Sequence, residues 1–332
     1  MYLSRQSFAP SLHIRSSAWL EHSPFIFWLI DILRPSRLVE LGTHNGFSFL
    51  SQCQVAKSID CDATIYAIDT WKGDEHAGFY DAEVYDNLEV EVRINYPRIG
   101  RLIKSTFAAA RSQFNNGSVD LLHIDGRHRY EDVKEDFDTW VGTLSDRGVV
   151  LFHDTCVRRD DFGVYRFWSE ISQKYPSFEF YHGNGLGILI IGNRAPGILT
   201  DLCSDSFETK SLVRDAYARL GYINTLQFEI MKITSEGKNL LYQVKSKELE
   251  INRYSDILNN FNDKLMYFHT ELETAEREHH QQISEVHQEK MRLQSELREL
   301  ENLKNSMLAS TSWKITRPLR AIKAFFSPTF KL

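Results

Sequence analysis

The feature that most restricts the fold of this chain is the stretch from 119 to 155. It contains two apolar runs, VDLLHID and RGVVLFHD, which end at Asp125 and Asp154 and are separated by a helical pattern. Buried apolar runs that alternate with helices are typical of parallel sheets. In such sheets ligands bind outside the carboxyl ends of the strands. We therefore expect Asp125, His128, His153 and Asp154 to surround one crevice.

The same alternation of strands and helices begins at Arg37 and predicts an α/β fold with a doubly wound, mostly parallel sheet. Helices are expected at 46–58 and 130–143. A Gly-Asn-Gly connection between the last two strands predicts an antiparallel hairpin at the sheet edge. The predicted strands are 37–42, 63–69, 101–106, 119–125, 148–154, 177–183 and 186–192.

Composition divides the chain into five segments. The apolar run at 23–33 contains Asp31 and is too short to span a bilayer, so it predicts a core helix. The segments are an N-terminal helical part (1–36), the α/β domain (37–196), a helical connector (197–240), a coiled coil (241–308) and a basic amphipathic tail (309–332).

The coiled coil is predicted from heptads of apolar residues, from Val244 and Ile251 on to Leu300, in a stretch without Pro or Gly. A single apolar stripe needs a partner, so the pattern predicts a homo-oligomer; a solvated single helix is the alternative.

The tail after residue 309 alternates basic with aromatic residues. It fits an anionic membrane surface, a partner such as a glycan-synthesis enzyme, or packing on its own chain.

The segment VELGTHNGFSF (39–49) predicts a strand, a glycine turn and a helix N-terminus, which is an arrangement that binds nucleotides. Asp69 ends the next strand, where an acid accepts hydrogen bonds from a ribose diol. The turn lacks the GxGxxG pattern of NAD-binding proteins. Candidate cofactor-binding residues are Glu40, Gly42, Thr43, Gly46, Asp69, Thr70, Thr106, Phe107 and Asp125.

Net charge and cysteine usage restrict the possible binding partners and the cellular compartment of the protein. A net charge of −6 argues against nucleic acid as a partner. The four cysteines show no paired spacing, which indicates reduced thiols. These features predict a cytoplasmic protein, with peripheral attachment to the inner membrane if the tail binds lipid.

The motifs ELGTHNG, IYAID, HIDGRHRYEDVKEDFDTW and RGVVLFHDT resemble those of class I S-adenosylmethionine-dependent methyltransferases. The last two are similar to the bacterial branch of macrocin-type and other sugar O-methyltransferases, which includes proteins of surface-glycan biosynthesis. The resemblance covers about residues 15–195. It implies a Rossmann-like seven-stranded sheet and S-adenosylmethionine as cofactor.

The resemblance also implies roles for the residues at the strand ends. Several members of that branch bind Mg²⁺ through one acid after the fourth strand and a pair after the fifth, which here are Asp125 and the pair His153–Asp154. Imidazole is unusual for Mg²⁺, so Mn²⁺, a substrate contact or a purely structural role stays open for His153. His128 resembles the general base of the sugar methyltransferases, with Asp125 beside it as a second catalytic candidate.

These observations predict an O-methyltransferase that modifies a sugar hydroxyl of a bacterial surface glycan, for example an O-antigen, or of its precursor. One alternative is an inactive methyltransferase-like scaffold that acts through its coiled coil. Another is an enzyme similar to the cephalosporin hydroxylases, although the metal-binding pattern of non-haem iron is not evident.

Overall fold

The structure is a computed structural model that describes residues 1–74, 78–79, 81, 83–159, 161–265 and 272–309. Its central feature is one sheet of seven strands. The strands are β1 (Arg37–Leu41), β2 (Thr64–Asp69), β3 (Gly100–Lys104), β4 (Val119–Ile124), β5 (Leu144–His153), β6 (Ser177–Phe180) and β7 (Leu186–Ile190).

Strand order in the sheet is β3-β2-β1-β4-β5-β7-β6, and β7 is antiparallel to both of its neighbours. The other pairs are parallel, so the predicted parallel sheet with an antiparallel last hairpin is confirmed. The order reverses between β1 and β4. A crevice therefore opens where connections leave these two strands in opposite directions.

Helices cover the sheet and make up the described part of the chain after it. A small hairpin pairs Gly73–Asp74 with Gly78–Phe79, and short 3-10 turns lie at Arg5–Phe8, Leu20–His22, Arg111–Gln113 and Val141–Thr143. The helices are α1 (Ser23–Leu33), α2 (Phe47–Ser58), α3 (Glu83–Asn95), α4 (Phe107–Ala110), α5 (Tyr130–Trp140), α6 (Val164–Ile171), α7 (Gly197–Ser204), α8 (Phe207–Leu265) and α9 (Leu272–Ala309).

The core lies on both faces of the sheet because β4 and the second half of β5 are buried along their whole length. The apolar run at 23–33 forms α1 and is buried on nearly all sides, which confirms it as a core helix. None of the described helices combines the length and the apolar character needed to cross a bilayer.

β5 begins earlier than the apolar run predicted, at Leu144 instead of 148. The register shifts at this point, since Val119 pairs with Leu144 whereas Leu121 pairs with Val149. The inserted residues are polar, and Ser145 donates a hydrogen bond to Asp120 at 2.6 Å. A polar bulge of this kind interrupts the hydrophobic pattern without ending the strand.

The first compact unit runs from Met1 to Phe228 and so extends past the predicted end of the domain near residue 196. The start of α8 belongs to it because its inner face is buried. Asn224, which is 5% exposed, donates hydrogen bonds to the Leu20 carbonyl at 2.8 Å and to Ser23 at 2.7 Å. Polar anchors of this type are not visible in a hydrophobic pattern.

The second unit comprises Glu229–Leu332. Its described part contains the rest of α8 and the helix α9, which confirms a long C-terminal helical region. On α9 the heptad positions 286, 290, 293, 297 and 300 are half-buried, whereas Ile283 is exposed. The coiled coil stays a prediction. The seam position Phe268 and the tail from residue 310 onwards lie outside the described residues.

We predict that Gly221→Ala destabilises the first unit by about 1–3 kcal/mol, although alanine favours helices. A Cβ atom at position 221 would lie 2.0 Å from the backbone oxygen of Glu21, so helix and turn would have to separate. The measurement is the free energy of unfolding in urea. Gly237→Ala is the matched control on the same helix, because nothing lies within 4 Å of its Cβ position. If both variants were equally stable, the close contact would have no energetic weight.

Candidate active site

The crevice is bounded on one side by the turn between β1 and α2. Gly42 has a φ angle of +87°, and a Cβ atom there would lie 2.0 Å from the backbone oxygen of Asp125. The Asp125 amide donates to the Leu41 carbonyl at 2.8 Å. Gly46, with a φ angle of +82°, leads into the first turn of α2. The glycines let the turn pass directly over the end of β4 and point free amide groups of α2 at the crevice.

Asp69 holds this turn in place from the end of β2. Its Oδ2 atom accepts hydrogen bonds from the amides of Thr43 at 2.9 Å and His44 at 3.1 Å, and its Oδ1 atom accepts from the Trp71 amide at 2.8 Å. A carboxylate has about four acceptor positions. Asp69 therefore fixes the turn and still has capacity to accept one hydrogen bond from a ligand hydroxyl.

Glu40 lies beneath the turn, is fully buried and is not among the residues that line the crevice. Its carboxylate accepts hydrogen bonds from Thr43 Oγ1 at 3.0 Å, Gln52 Nε2 at 2.7 Å and His123 Nδ1 at 2.9 Å. All three partners belong to the protein. Glu40 thus supports the turn and β4 from inside the domain, and its distance from ligand is set by Thr43.

His153 links the two strand-end acids. Its Nδ1 atom lies 3.1 Å from Asp125 Oδ1 and 3.6 Å from Asp154 Oδ1, and its Nε2 atom lies 3.1 Å from the Gly183 carbonyl. Burial lowers the pKa of His153, but the two carboxylates outweigh it and raise the pKa to about 9. Both ring nitrogens face oxygen atoms, so both act as donors in the protonated ring.

His128 and Asp154 form a second pair in the crevice. His128 Nε2 lies 2.9 Å from Asp154 Oδ2, and the ring stacks on Phe162 with centroids 4.6 Å apart. Burial lowers the pKa of His128, yet the hydrogen bond and charge of Asp154 raise it above its usual value. When Nε2 donates to Asp154, the lone pair of the neutral ring is on Nδ1. This is the arrangement of a histidine base oriented by an acid.

One group of side chains has the geometry to hold a divalent metal. Asp125, His128 and Asp154 each offer a ligand atom, and these atoms lie within 4.8 Å of one another. Asp154 Oδ1 is buried and has no hydrogen-bond partner among the described residues, so it suits a cation or a hydroxyl donor. The structure thus groups the two acids with His128, whereas the sequence grouped them with His153.

A cavity of about 630 Å³ unites these elements at the carboxyl end of the sheet. This volume lies within the usual range for sites that bind small molecules. Every predicted site residue except Glu40 lines it. These residues are Gly42, Thr43, Gly46, Asp69, Thr70, Thr106, Phe107, Asp125, His128, His153 and Asp154.

The cavity also contains residues that sequence reasoning missed. Ser16–Trp19 precede the predicted core helix in an irregular segment, and Asn184 lies in the hairpin turn and helps to lower the pKa of Asp154. The Gly-Asn-Gly signal was present, but it was interpreted only as a turn. On the side of α5, Asp132 and Asp136 line the cavity near Phe107.

Residues 39–155 match the family model of a methyltransferase domain. The match begins in β1 and ends beside Asp154, so it contains both glycines and all the strand-end acids. An uncharacterized protein of Sinorhizobium fredii, y4gI, is 42% identical over 247 residues, which are 70% of this chain. The chain spans 27% of the length of that relative. Residues 39–155 are thus similar to a methyltransferase domain.

Among solved structures, the chain is similar to two O-methyltransferases at low identity. The enzyme TomG of Streptomyces achromogenes, solved with S-adenosylmethionine, is 12% identical, with 58% of this chain and 97% of that chain covered and a TM-score of 0.40. An O-methyltransferase of Bacillus cereus is 11% identical, with 57% and 98% covered and a TM-score of 0.40.

We predict that Asp154→Asn lowers the pKa of His128. The variant leaves His128 buried but removes the carboxylate that raises its pKa. The measurement is a histidine-ring NMR titration in the presence of a chelator. Asp146→Asn, at the opposite end of β5, is the control and should leave the pKa of His128 unchanged. An unchanged pKa in Asp154→Asn would show that the pair does not form in solution.

We predict that Asp136→Asn stabilises the protein above neutral pH. Burial, followed by the charges of Asp132 and Glu135, raises the pKa of Asp136 to about 7. Folding therefore favours the protonated form of Asp136. The contribution of this form to the free energy of unfolding is lost as pH rises from about 4 to about 7. The variant should gain about 1–2 kcal/mol of unfolding free energy at about pH 8 and little at about pH 4.

Urea unfolding across this pH range measures the effect. Asp138→Asn on the same helix is the control, since Asp138 is exposed and paired with Lys134. A gain in Asp136→Asn that did not grow with pH would contradict the shifted pKa.

Proposed function

We propose that this chain is an S-adenosylmethionine-dependent O-methyltransferase that methylates a sugar hydroxyl of a bacterial surface glycan or its precursor. The observation that carries the proposal is the His128–Asp154 pair, at 2.9 Å, inside the cavity that the glycine turn and Asp69 border. This places a candidate proton acceptor beside a nucleotide-type binding turn. The resemblance of the motif around His128 to sugar methyltransferases supports the acceptor class.

The residues that line the cavity fit the cofactor. Gly42 lets the turn approach the end of β4, Gly46 leads into the N-terminus of α2, and Asp69 retains capacity for a ribose hydroxyl. Phe107 and Thr106 follow β3 beside Gly126, where a flat base would meet an aromatic edge. S-adenosylmethionine supplies a methyl group on a sulfonium, which needs a nucleophile in line and a dry site.

His128 would remove the proton from the acceptor hydroxyl. A sugar hydroxyl is a weak nucleophile until its proton is taken, and a histidine near neutral pH can accept it. Asp154 orients the ring and stabilises the imidazolium that results. His153 holds Asp125 and Asp154 at their positions and stays protonated.

A divalent metal such as Mg²⁺ or Mn²⁺ fits the group of Asp125, His128 and Asp154. When bound, such an ion lowers the pKa of a coordinated hydroxyl. Oxygen ligands favour Mg²⁺, whereas the imidazole favours Mn²⁺. If His128 ligates the ion through Nε2, its contact with Asp154 is replaced and the proton of the neutral ring moves to Nδ1, so the metal and the histidine base are competing uses of one ring.

The helical second unit supports an assembly role. The heptads predict that α8 and α9 associate with a second copy of the chain, and the basic tail would direct the protein to the inner membrane surface or to a glycan-synthesis enzyme. A cytoplasmic protein attached at the membrane would meet lipid-linked glycan precursors. Removal of residues 240–332 should then change oligomeric state in light scattering.

Calorimetric titration of the full chain with S-adenosylmethionine tests the cofactor, with NAD as control and with Mg²⁺, Mn²⁺ or EDTA added in turn. We expect binding of S-adenosylmethionine but not of NAD. An acceptor screen with glycans follows. In this screen His128→Gln should lower the rate of methyl transfer about 10²- to 10⁴-fold without weakening cofactor binding. His287→Gln on α9 is the control. No cofactor binding under any condition would favour an inactive scaffold.

A further inference from the structure

Two arginines on the acceptor side of the cavity have no acidic partner among the described residues. Arg127 lies between Gly126 and His128, and Arg159 follows β5; both are exposed and line the cavity. Among the described residues, no carboxylate is in ion-pair distance of either guanidinium, whereas the neighbouring Arg129 pairs with Asp161 at 3.4 Å. Two unmatched positive charges beside one pocket suggest a ligand that supplies the negative charge.

The other arginine of this loop, Arg158, has partners within the protein. Its guanidinium donates to the Thr155 carbonyl at 2.9 Å and lies 4.1 Å from the ring centre of Tyr165. Within the described part of the chain, Arg159 by contrast contacts the Phe162 ring, with its guanidinium carbon 5.6 Å from the ring centre. Since Phe162 stacks on His128, Arg159 is placed next to the candidate base.

The acids of the cavity do not compensate these arginines. Asp125 and Asp154 are paired with His153 and His128, at 3.1 and 2.9 Å. Asp136 lies on the other side, where its Oδ2 atom is 3.1 Å from the Cβ position of Gly126, next to Phe107. Asp136 therefore lies beside the aromatic residue assigned to the cofactor, which carries a positive sulfonium, whereas Arg159 lies beside the ring that stacks on His128.

We propose that the acceptor is a sugar that carries a phosphate or carboxylate group near the methylated hydroxyl. Arg127 and Arg159 are its specificity-determining residues. Guanidinium groups bind phosphates and carboxylates through paired hydrogen bonds, which suits this role. This inference rests on the proposed function, because it assigns the acceptor of that same site.

The test measures binding of small probes to the full chain by saturation-transfer NMR, with and without S-adenosylhomocysteine. The charged probes are glucose 6-phosphate and glucuronate, and the neutral probe is glucose. We expect at least one of the two charged sugars to bind about tenfold more tightly than glucose, or more tightly still. The stronger of the two identifies phosphate or carboxylate as the recognised group.

Arg127→Gln and Arg159→Gln should each weaken binding of the charged probe. The double variant should bind the charged probe no better than it binds glucose. Arg98→Gln is the matched control, since Arg98 is exposed at the amino end of β3, away from the cavity. Equal binding of charged and neutral probes, binding of none of them, or a charge preference that persists in the double variant would overturn the inference.

The cofactor is titrated separately into every variant. Unchanged affinity for S-adenosylhomocysteine shows that the arginine variants are folded and that only acceptor recognition has changed. If the wild type bound no S-adenosylhomocysteine, the proposed function would fail. The probe titrations without cofactor would still show whether the arginines select an anion.

Discussion

The whole site depends on one close approach, between the turn after β1 and the backbone at the end of β4. Gly42 passes so near Asp125 that no side chain fits, and a backbone hydrogen bond joins Leu41 to Asp125 at the same point. This contact brings the nucleotide-type turn and the acidic strand tips into one crevice. Asp69 above and Glu40 below then hold the turn through hydrogen bonds, so the ends of β1 and β4 are fixed relative to each other.

Charge balance is the second constraint. Two carboxylates and two histidines meet in a small, mostly buried volume, where an unpaired charge would be costly. His153 compensates by staying protonated between Asp125 and Asp154 and by donating to the Gly183 carbonyl. His153 meets one of the two negative charges, and His128, which pairs with Asp154, is the group whose proton can come and go. The two histidines thus have different roles although they lie near the same acids.

Much of the fold could be predicted from sequence because each strand is an apolar run with a turn signal at its end. The seven strands, the antiparallel hairpin and the core helix α1 follow from this pattern. The early start of β5 could not be predicted, since its first residues form a polar bulge that the hydrophobic pattern does not show. The attachment of α8 to the first unit was missed for a similar reason, because Asn224 and Gly221 act through single backbone contacts.

For the candidate site, sequence by itself determined which chemistry is available. The acids and histidines at the strand ends follow from strand position, since the carboxyl ends of parallel strands lie at one edge. Only the tertiary structure decided how these groups pair: His153 with Asp125, His128 with Asp154, and Glu40 with the protein interior. Pairing depends on distances of a few tenths of an ångström and on rotamers, which spacing along a chain does not encode. The same is true of Ser16–Trp19 and Asn184, which reach the cavity only because distant segments fold over it.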